Sequence, residues 1–443
     1  MLYLLGVIFL LLGVGVSIAL HEIGHLLPAK KFGVKVTQYM VGFGPTLWSR
    51  RKGETEYGVK AIPLGGYIRM IGMFPPAPGH EEDGMARVSS TGRFSQMADQ
   101  MREAAYEPIS VKDRDRVFYK LPTWKKVVIM FGGPFMNLVI ALVLLIVIAS
   151  GIGLPVQKSA SIAKVQQCQA LSDGTVPQTC SAADRTPAAA AGLKEGDRVV
   201  SAGGEQVTTT SDLTDVIRSH AGQAVPIVVQ RGDQRLTLTV TPQQKVMPKL
   251  DKNGTEVVNW KGQVETEQVG VMSASIGGTY RTERQSIPAA LGTFGDALQR
   301  TASVFVKIPQ KMVGVGYAAF GDGTRDKNGP QSVVGVGRTA GDVASAPASF
   351  GDKLTFLLTI IASLNLALFV FNLVPLLPLD GGHIAGALWE AVKRRIARAR
   401  GITGPVYVDV AKALPIAYGV SIVLLVMFGL LAYADVVNPI KLG

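Results

Sequence analysis

Four apolar runs, at residues 2–27, 127–150, 354–379 and 413–434, constrain this chain more than any other feature. Each is long enough to cross a bilayer, which takes roughly 20 residues of helix. The chain therefore reads as a polytopic α-helical membrane protein with four spans, and its 47% hydrophobic content agrees. No positive residue precedes the first run, and no small-residue cleavage site follows it. That run is expected to be a retained span and not a signal peptide.

The net charge of +12 would suggest nucleic acid on a soluble protein. Here the positive residues crowd the ends of the spans, which orients them and leaves no nucleic-acid partner to invoke. Lys30, Lys31 and Lys35 follow the first run; Lys112, Arg114, Arg116, Lys120, Lys125 and Lys126 precede the second. A third group, Lys393, Arg394, Arg395, Arg398, Arg400 and Lys412, separates the last two. Segments 28–126 and 393–412 are thus expected in the cytoplasm, with 151–353 and both termini outside. Cys168 and Cys180 both fall in the outer segment. In an oxidising compartment they read as a disulfide closing a short loop, or else as two separate thiols.

Between the spans the pattern changes. Residues 53–71 alternate apolar and polar around a Gly-Gly pair and predict a β-hairpin in the cytoplasmic segment 28–126. Residues 74–110 are expected to form an exposed loop, helical in part over 94–106. Tyr119 and Trp124, among basic residues at 116–126, suit the membrane interface. Segment 156–245 has strand-like runs around "PAAAAGLKEGDRVVSAGGEQV" (187–207), and this resembles a PDZ domain. Segment 246–353 is expected to be a linker with amphipathic helices. One of them, at 287–315, would lie on the outer leaflet. A fifth span there is opposed by Asp296, Arg300, Lys307 and Lys311.

The first span ends in His21-Glu22-Ile23-Gly24-His25. On a helix, positions i and i+4 share a face. Both imidazoles can then reach one zinc ion, whose bonds to nitrogen are about 2.0–2.1 Å. Glu22 is placed to take a proton from water and deliver it to a leaving amine. On a solvated helix an HExxH match can be chance. Inside a span, three costly polar groups within five residues need a partner, and a divalent metal answers all three.

A catalytic zinc needs a third protein ligand. The elongated motif HExxHxxGxxH would require Gly at 28 and His at 31, but Pro28 and Lys31 stand there. Glu54, Glu56, His80, His220 and His383 are other polar candidates. Asp380 is the strongest. It is the first acid after the long apolar run, follows two helix-breaking prolines at 375 and 378, and precedes Gly381-Gly382. Unwound backbone at membrane depth belongs beside a protein-lined cavity. The third span, taken as 354–383, would bring Asp380 to the cytoplasmic level of His21 and His25.

Four stretches, HEIGH (21–25), FGGPFMN (131–137), YGVKAIPLGGYIRM (57–70) and NLVPLLPLDGG (372–382), resemble the site-2 proteases, which are intramembrane zinc metalloproteases. With a PDZ insert, the chain is most similar to the bacterial branch like the regulator-of-sigma-E protease, and within it to actinobacterial members. The resemblance implies one Zn2+ per chain on His21, His25 and Asp380, with Glu22 as general base and acid. Asn372 would hold the substrate backbone or the developing oxyanion. A membrane-re-entrant β-hairpin would capture an unwound substrate strand through Tyr57, Gly58, Val59, Lys60, Ala61, Ile62, Pro63, Leu64, Gly65, Gly66 and Tyr67.

Asn137 is expected to serve helix–helix hydrogen bonding, and His383 to stand behind the ligands or at the interface. The implied substrates are single-span membrane proteins such as an anti-sigma factor, first cut outside by a site-1-type protease. The implied place is the plasma (inner) membrane, with the PDZ domain outside and the active site opening to the cytoplasm. The competing functions are a membrane PDZ scaffold with a vestigial zinc site, and an ion-coupled transporter. Against the scaffold stands the intact Glu22; against the transporter, the lack of an evident repeat.

Overall fold

The computed structural model describes all residues except 74–110, 171–174, 178, 251–256, 258–263, 322–328, 403–406, 409–412 and 441–443. The expected loop at 74–110, its helical part at 94–106 and His80 lie outside the described residues. Two compact units are formed, Met1–Ile148 with Ile287–Gly443, and Ala149–Ser286.

In the first unit, helix α1 (Leu2–Lys31) is the hub. Among the described residues it is one of four helices long and apolar enough to cross a membrane; the others run Thr123–Ile152, Phe350–Asn372 and Pro415–Val437. Lipid tails are as apolar as leucine, so such helices associate by close packing and interhelical hydrogen bonds. Both devices appear on α1. Gly24 meets Gly132 of α2 (Thr123–Ile146) backbone to backbone, and a Cβ on either would overlap the other's carbonyl. Seven residues before Gly24, the Ser17 hydroxyl accepts a 2.9 Å hydrogen bond from Asn365 Nδ2. At the start of α1, Leu10 is buried among Ala340, Leu357 and Ile361.

After α1 the chain makes two long strands, β1 (Val36–Lys52) and β2 (Thr55–Met70), which pair antiparallel with several register shifts. The shifts let each strand serve twice. Met40 lies opposite Tyr67 on one side and Gly58 on the other, and Trp48 lies opposite Val59. This sheet is tied to α1 by a 2.8 Å hydrogen bond from the Tyr39 hydroxyl to the Ala19 carbonyl. Val34, Val36 and Met70 are buried with Leu26, Ile129 and Met130, so the sheet, α1 and α2 share one core.

In the second unit, strands β3 (Leu154–Val165), β4 (Arg198–Ala202), β5 (Glu205–Gln206), β6 (Val225–Arg231), β7 (Gln234–Val240) and β10 (Ala274–Glu283) form one sheet. Its order is β10-β3-β4-β6-β7, with β5 on β4. A separate hairpin pairs β8 (Gln243–Pro248) with β9 (Thr266–Val271). Two helices accompany them, α3 (Pro187–Ala190) and α4 (Thr210–Ser219). A capping box starts α4, in which Thr209 and Asp212 satisfy each other's backbone N–H. Leu213, Ile162, Val199, Ile227 and Val240 fill the core, each 1% exposed or less. Cys168 and Cys180 are joined as a disulfide.

The expected boundary at residue 245 differs from this unit. The unit continues to Ser286, because β10 returns to pair along β3 from Ala274 opposite Val165 to Glu283 opposite Leu154. The described residues of 246–286 therefore include the end of β8 and the whole of β9 and β10. Only from Ile287 does the segment become helical, as α5 (Ile287–Val306), α6 (Ile308–Phe320) and α7 (Val333–Ser345) of the first unit.

The chain re-enters with α8 (Phe350–Asn372), whose N-terminus is capped by the Ser349 hydroxyl. The segment taken as the third span, 354–383, is interrupted where its two prolines are expected to break it. Helix α8 stops at Asn372, residues 373–379 turn, and a new helix α9 (Asp380–Ala399) starts at Asp380. Pro375 and Pro378 explain the interruption, since neither can donate to a helical ladder. Gly381 and Gly382 let the turn fold onto α9; a Cβ at Gly382 would sit 2.6 Å from the Leu377 nitrogen. The last helix, α10 (Leu414–Val437), packs Leu431 and Ala434 on Val315 and Ala319 of α6.

Candidate metal centre and active site

His21 and His25 lie one turn apart on α1, and Asp380 is the first residue of α9. The two Nε2 atoms are 3.2 Å apart, and Asp380 Oδ2 lies 3.5 Å from His21 Nε2 and 3.4 Å from His25 Nε2. Donors around a tetrahedral zinc at 2.0–2.1 Å stand about 3.3 Å from one another. This triangle has that size, and its donor chemistry, two imidazoles and a carboxylate, suits zinc. Among the described residues this is the one cluster of three such donors within 4.8 Å.

Helix α2 makes room for the cluster. A Cβ at Gly133 would overlap Nε2 of His25 and lie 2.7 Å from Nε2 of His21. The Ile129 carbonyl, one turn earlier, accepts a 2.8 Å hydrogen bond from His25 Nδ1, which turns Nε2 of that ring toward the cluster. One turn later, Asn137 reaches His21 Nδ1 at 3.0 Å. From the sequence Asn137 read as a helix–helix residue. Its place at the end of FGGPFMN is marked by resemblance, but nothing in that stretch says that it pairs with His21.

Glu22 is 8% exposed and sits under the sheet. A Cβ on Gly66 of β2 would come 3.0 Å from Glu22 Cγ. The strand residues taken together from the sequence, 57–67, separate into two groups. Tyr57, Gly58 and Val59 have β1 neighbours on both sides, Tyr39, Met40 and Val41 on one and Arg50, Ser49 and Trp48 on the other. Gly66 to Arg69 lie opposite β1 on one side only. The sheet margin beside Glu22 is thus Gly66–Arg69, and the Tyr57–Val59 backbone is interior. This distinction rests on register shifts that alternation of apolar and polar residues does not reveal.

Asn372 is the last residue of α8 and makes no side-chain hydrogen bond among the described residues. The other polar candidates are elsewhere. Glu54 receives Arg116 bidentately at 2.6 and 2.8 Å, and Glu56 accepts from Gln38 at 3.2 Å. In the second unit, His220 Nδ1 donates to the Val216 carbonyl of its own helix. His383 lines a small cavity with Phe118, Tyr119, Lys126 and Glu390, adjoining the start of α9.

A four-span unit with an HExxH helix completed by a carboxylate from a broken helix defines a membrane-embedded zinc peptidase. Comparison with known proteins agrees. Residues 9–416 match the model of peptidase family M50. The zinc metalloprotease Rip1 of Mycobacterium tuberculosis is 35% identical over the whole of both chains. Rip1 of Mycolicibacterium smegmatis is 33% identical, again over both whole chains. The metalloprotease MmpA of Caulobacter vibrioides is 29% identical over 90% of this chain and 89% of its own. The chain belongs to peptidase family M50, the site-2 proteases: it is a zinc metalloendopeptidase.

Proposed function

We propose that this enzyme cleaves single-span membrane proteins within their membrane segment, after a site-1-type protease has removed the outer part. An anti-sigma factor is the substrate class that fits best. In this reading His21, His25 and Asp380 hold the zinc. When bound, the ion would supply Lewis acidity toward water and the scissile carbonyl. Glu22 is placed to take a proton from the attacking water and to return it to the leaving amine. Asn372, with its amide uncommitted, donates to the substrate backbone or to the oxyanion as charge develops.

The sheet supplies the remaining requirement. A transmembrane helix hides its peptide bonds in its own hydrogen-bond ladder, and attack requires that ladder to open. The β1–β2 sheet, re-entering the membrane, would receive the opened segment as an added strand. Within 57–67 and its continuation we assign that role to the margin beside Glu22, Gly66–Arg69, with Tyr57–Val59 supporting it from the interior. The observation that carries the whole reading is the meeting of the three donors beside Glu22, two near the end of the apolar helix α1 and one just after the apolar helix α8 breaks.

We further propose that the sheet and two helices of 149–286 are a PDZ domain on the outer face. There it filters substrates by the size of their outer part. The positive segments would face the cytoplasm, in the plasma (inner) membrane of a bacterium. Purified enzyme in proteoliposomes with a single-span substrate lacking its outer domain tests the function. Wild type should give fragments whose new ends map inside the span, and Glu22→Gln should give none while retaining zinc. Zinc retention without cleavage by wild type, across several such substrates, would favour a scaffold.

A further inference from the structure

The proposed ligand set explains why His21 and His25 need zinc, but not what fixes their rings. Helix α2 bears on this at three positions spaced by four residues, Ile129, Gly133 and Asn137, which share one face. Gly133 is the hollow into which both Nε2 atoms fit. The Ile129 carbonyl holds His25 by Nδ1. Asn137 is 1% exposed, and its side-chain nitrogen lies 3.0 Å from His21 Nδ1 while its buried Oδ1 has no hydrogen-bond partner among the described residues.

This last pairing is chemically decisive. If His21 gives its Nε2 lone pair to a metal, its Nδ1 must carry the proton and act as a donor. A donor needs an acceptor, and the NH2 of Asn137 is not one. The two ends of a side-chain amide are nearly the same size, and the hydrogen-bond network determines which end points where. Turning the amide over places the orphaned Oδ1 on His21 Nδ1–H. The turned state replaces a donor facing a donor with a donor facing an acceptor, which favours it.

Resting on the proposed ligand set, we propose that Asn137 is a positioning residue for the zinc site: its side-chain carbonyl accepts the Nδ1–H of His21 and locks that ring in the tautomer that presents Nε2. Together with the Ile129 carbonyl it makes one face of α2 the outer layer of the metal centre. Partners of metal-bound histidines raise ligand basicity and typically change metal affinity about 10–100-fold when removed.

The test uses the full chain in detergent micelles, stripped of metal and titrated with zinc against a chromophoric chelator. Asn137→Leu removes the acceptor at similar volume and should weaken zinc about 10–100-fold. Asn137→Asp restores an acceptor and should hold zinc at least as tightly as wild type, a rescue that a packing role does not give. Far-UV circular dichroism and elution volume establish that each variant is folded. Should Asn137→Leu fail to fold, wild type loaded with zinc and labelled with 15N-histidine gives the answer alone: His21 must show a protonated Nδ1. Unchanged zinc affinity in Asn137→Leu, or an unprotonated Nδ1 on His21, overturns the proposal. His21→Ala serves as the control. If it binds zinc as wild type does, the ligand set itself is wrong and the proposal falls with it; if it is weakened while Asn137→Leu is not, only the proposal falls.

Discussion

Oδ2 of Asp380 lies 3.4 Å from Nε2 of His25, though the two residues come from the first and the ninth helix of the described chain. What unites them is a broken helix. Asp380 opens α9 after the turn at 373–379, and that turn is held by Gly381 and Gly382. Asp380→Ala should therefore bring zinc well below one per chain while leaving the helix content unchanged. Metal analysis and far-UV circular dichroism on the same sample check both parts.

Gly133 offers a sharper variant because it adds a single methyl group. Its Cβ would occupy the space of both Nε2 atoms. The α2 backbone is also fixed one residue earlier, where Gly132 meets Gly24, so α2 has little freedom to retreat. Gly133→Ala is expected to lose both zinc binding and cleavage. An alanine placed at Gly151, which has open space around it, is the matched control and should behave as wild type.

Lys126 and Glu390, 4% and 3% exposed, form a 2.8 Å ion pair between α2 and α9. Arg394 also reaches Glu390 at 2.6 Å, and the Val408 amide donates to its other oxygen. The two halves of this pair are thus unequal. Glu390→Leu leaves a buried ammonium without its partner and should cost about 3–5 kcal/mol. Lys126→Met leaves Glu390 paired with Arg394 and should cost clearly less. The double substitution should recover most of the Glu390→Leu loss, as thermal unfolding in detergent would show.

Acid should unfold the second unit through Asp197, whose side chain is fully buried. Burial alone would raise its pKa. The Arg231 guanidinium, at 2.6 and 2.7 Å, and the Lys194 amide outweigh that and hold the carboxyl below its usual range. A carboxylate with a lowered folded-state pKa stabilises fully above its unfolded value, about 3.9. That contribution is lost as pH falls through the folded value. Stability of the unit should decline below about pH 4. In Arg231→Ala it should already be lower at neutral pH and show a flatter acid limb. Near-UV circular dichroism of the full chain against pH reads both.

Much of this architecture was legible before any coordinates. The four spans follow from hydropathy and length, and the two histidines from the period of the helix. Asp380 stands out because it follows two helix-breaking prolines at the end of a long apolar run and precedes Gly381-Gly382. Other features were not legible, for identifiable reasons. Gly133 and Asn137 matter through contacts with α1, and an apolar helix does not announce which face meets which neighbour. Nothing local at Tyr57 or Gly66 tells interior strand from margin; the register shifts between β1 and β2 determine it. That the compact unit continues past 245 was not legible either, because β10 is joined to β3 only by long-range pairing, with a hairpin in between.

The central claim is that His21, His25 and Asp380 bind one zinc ion, and its coordination shell can be measured directly. X-ray absorption at the zinc edge on the purified, zinc-loaded protein should show nitrogen and oxygen neighbours at about 2.0–2.1 Å, with the outer-shell scattering of two imidazoles and no sulfur. In His25→Ala the imidazole signal should fall to one ring or the metal should be lost. A sulfur neighbour, or an imidazole signal unchanged in that variant, would contradict the account.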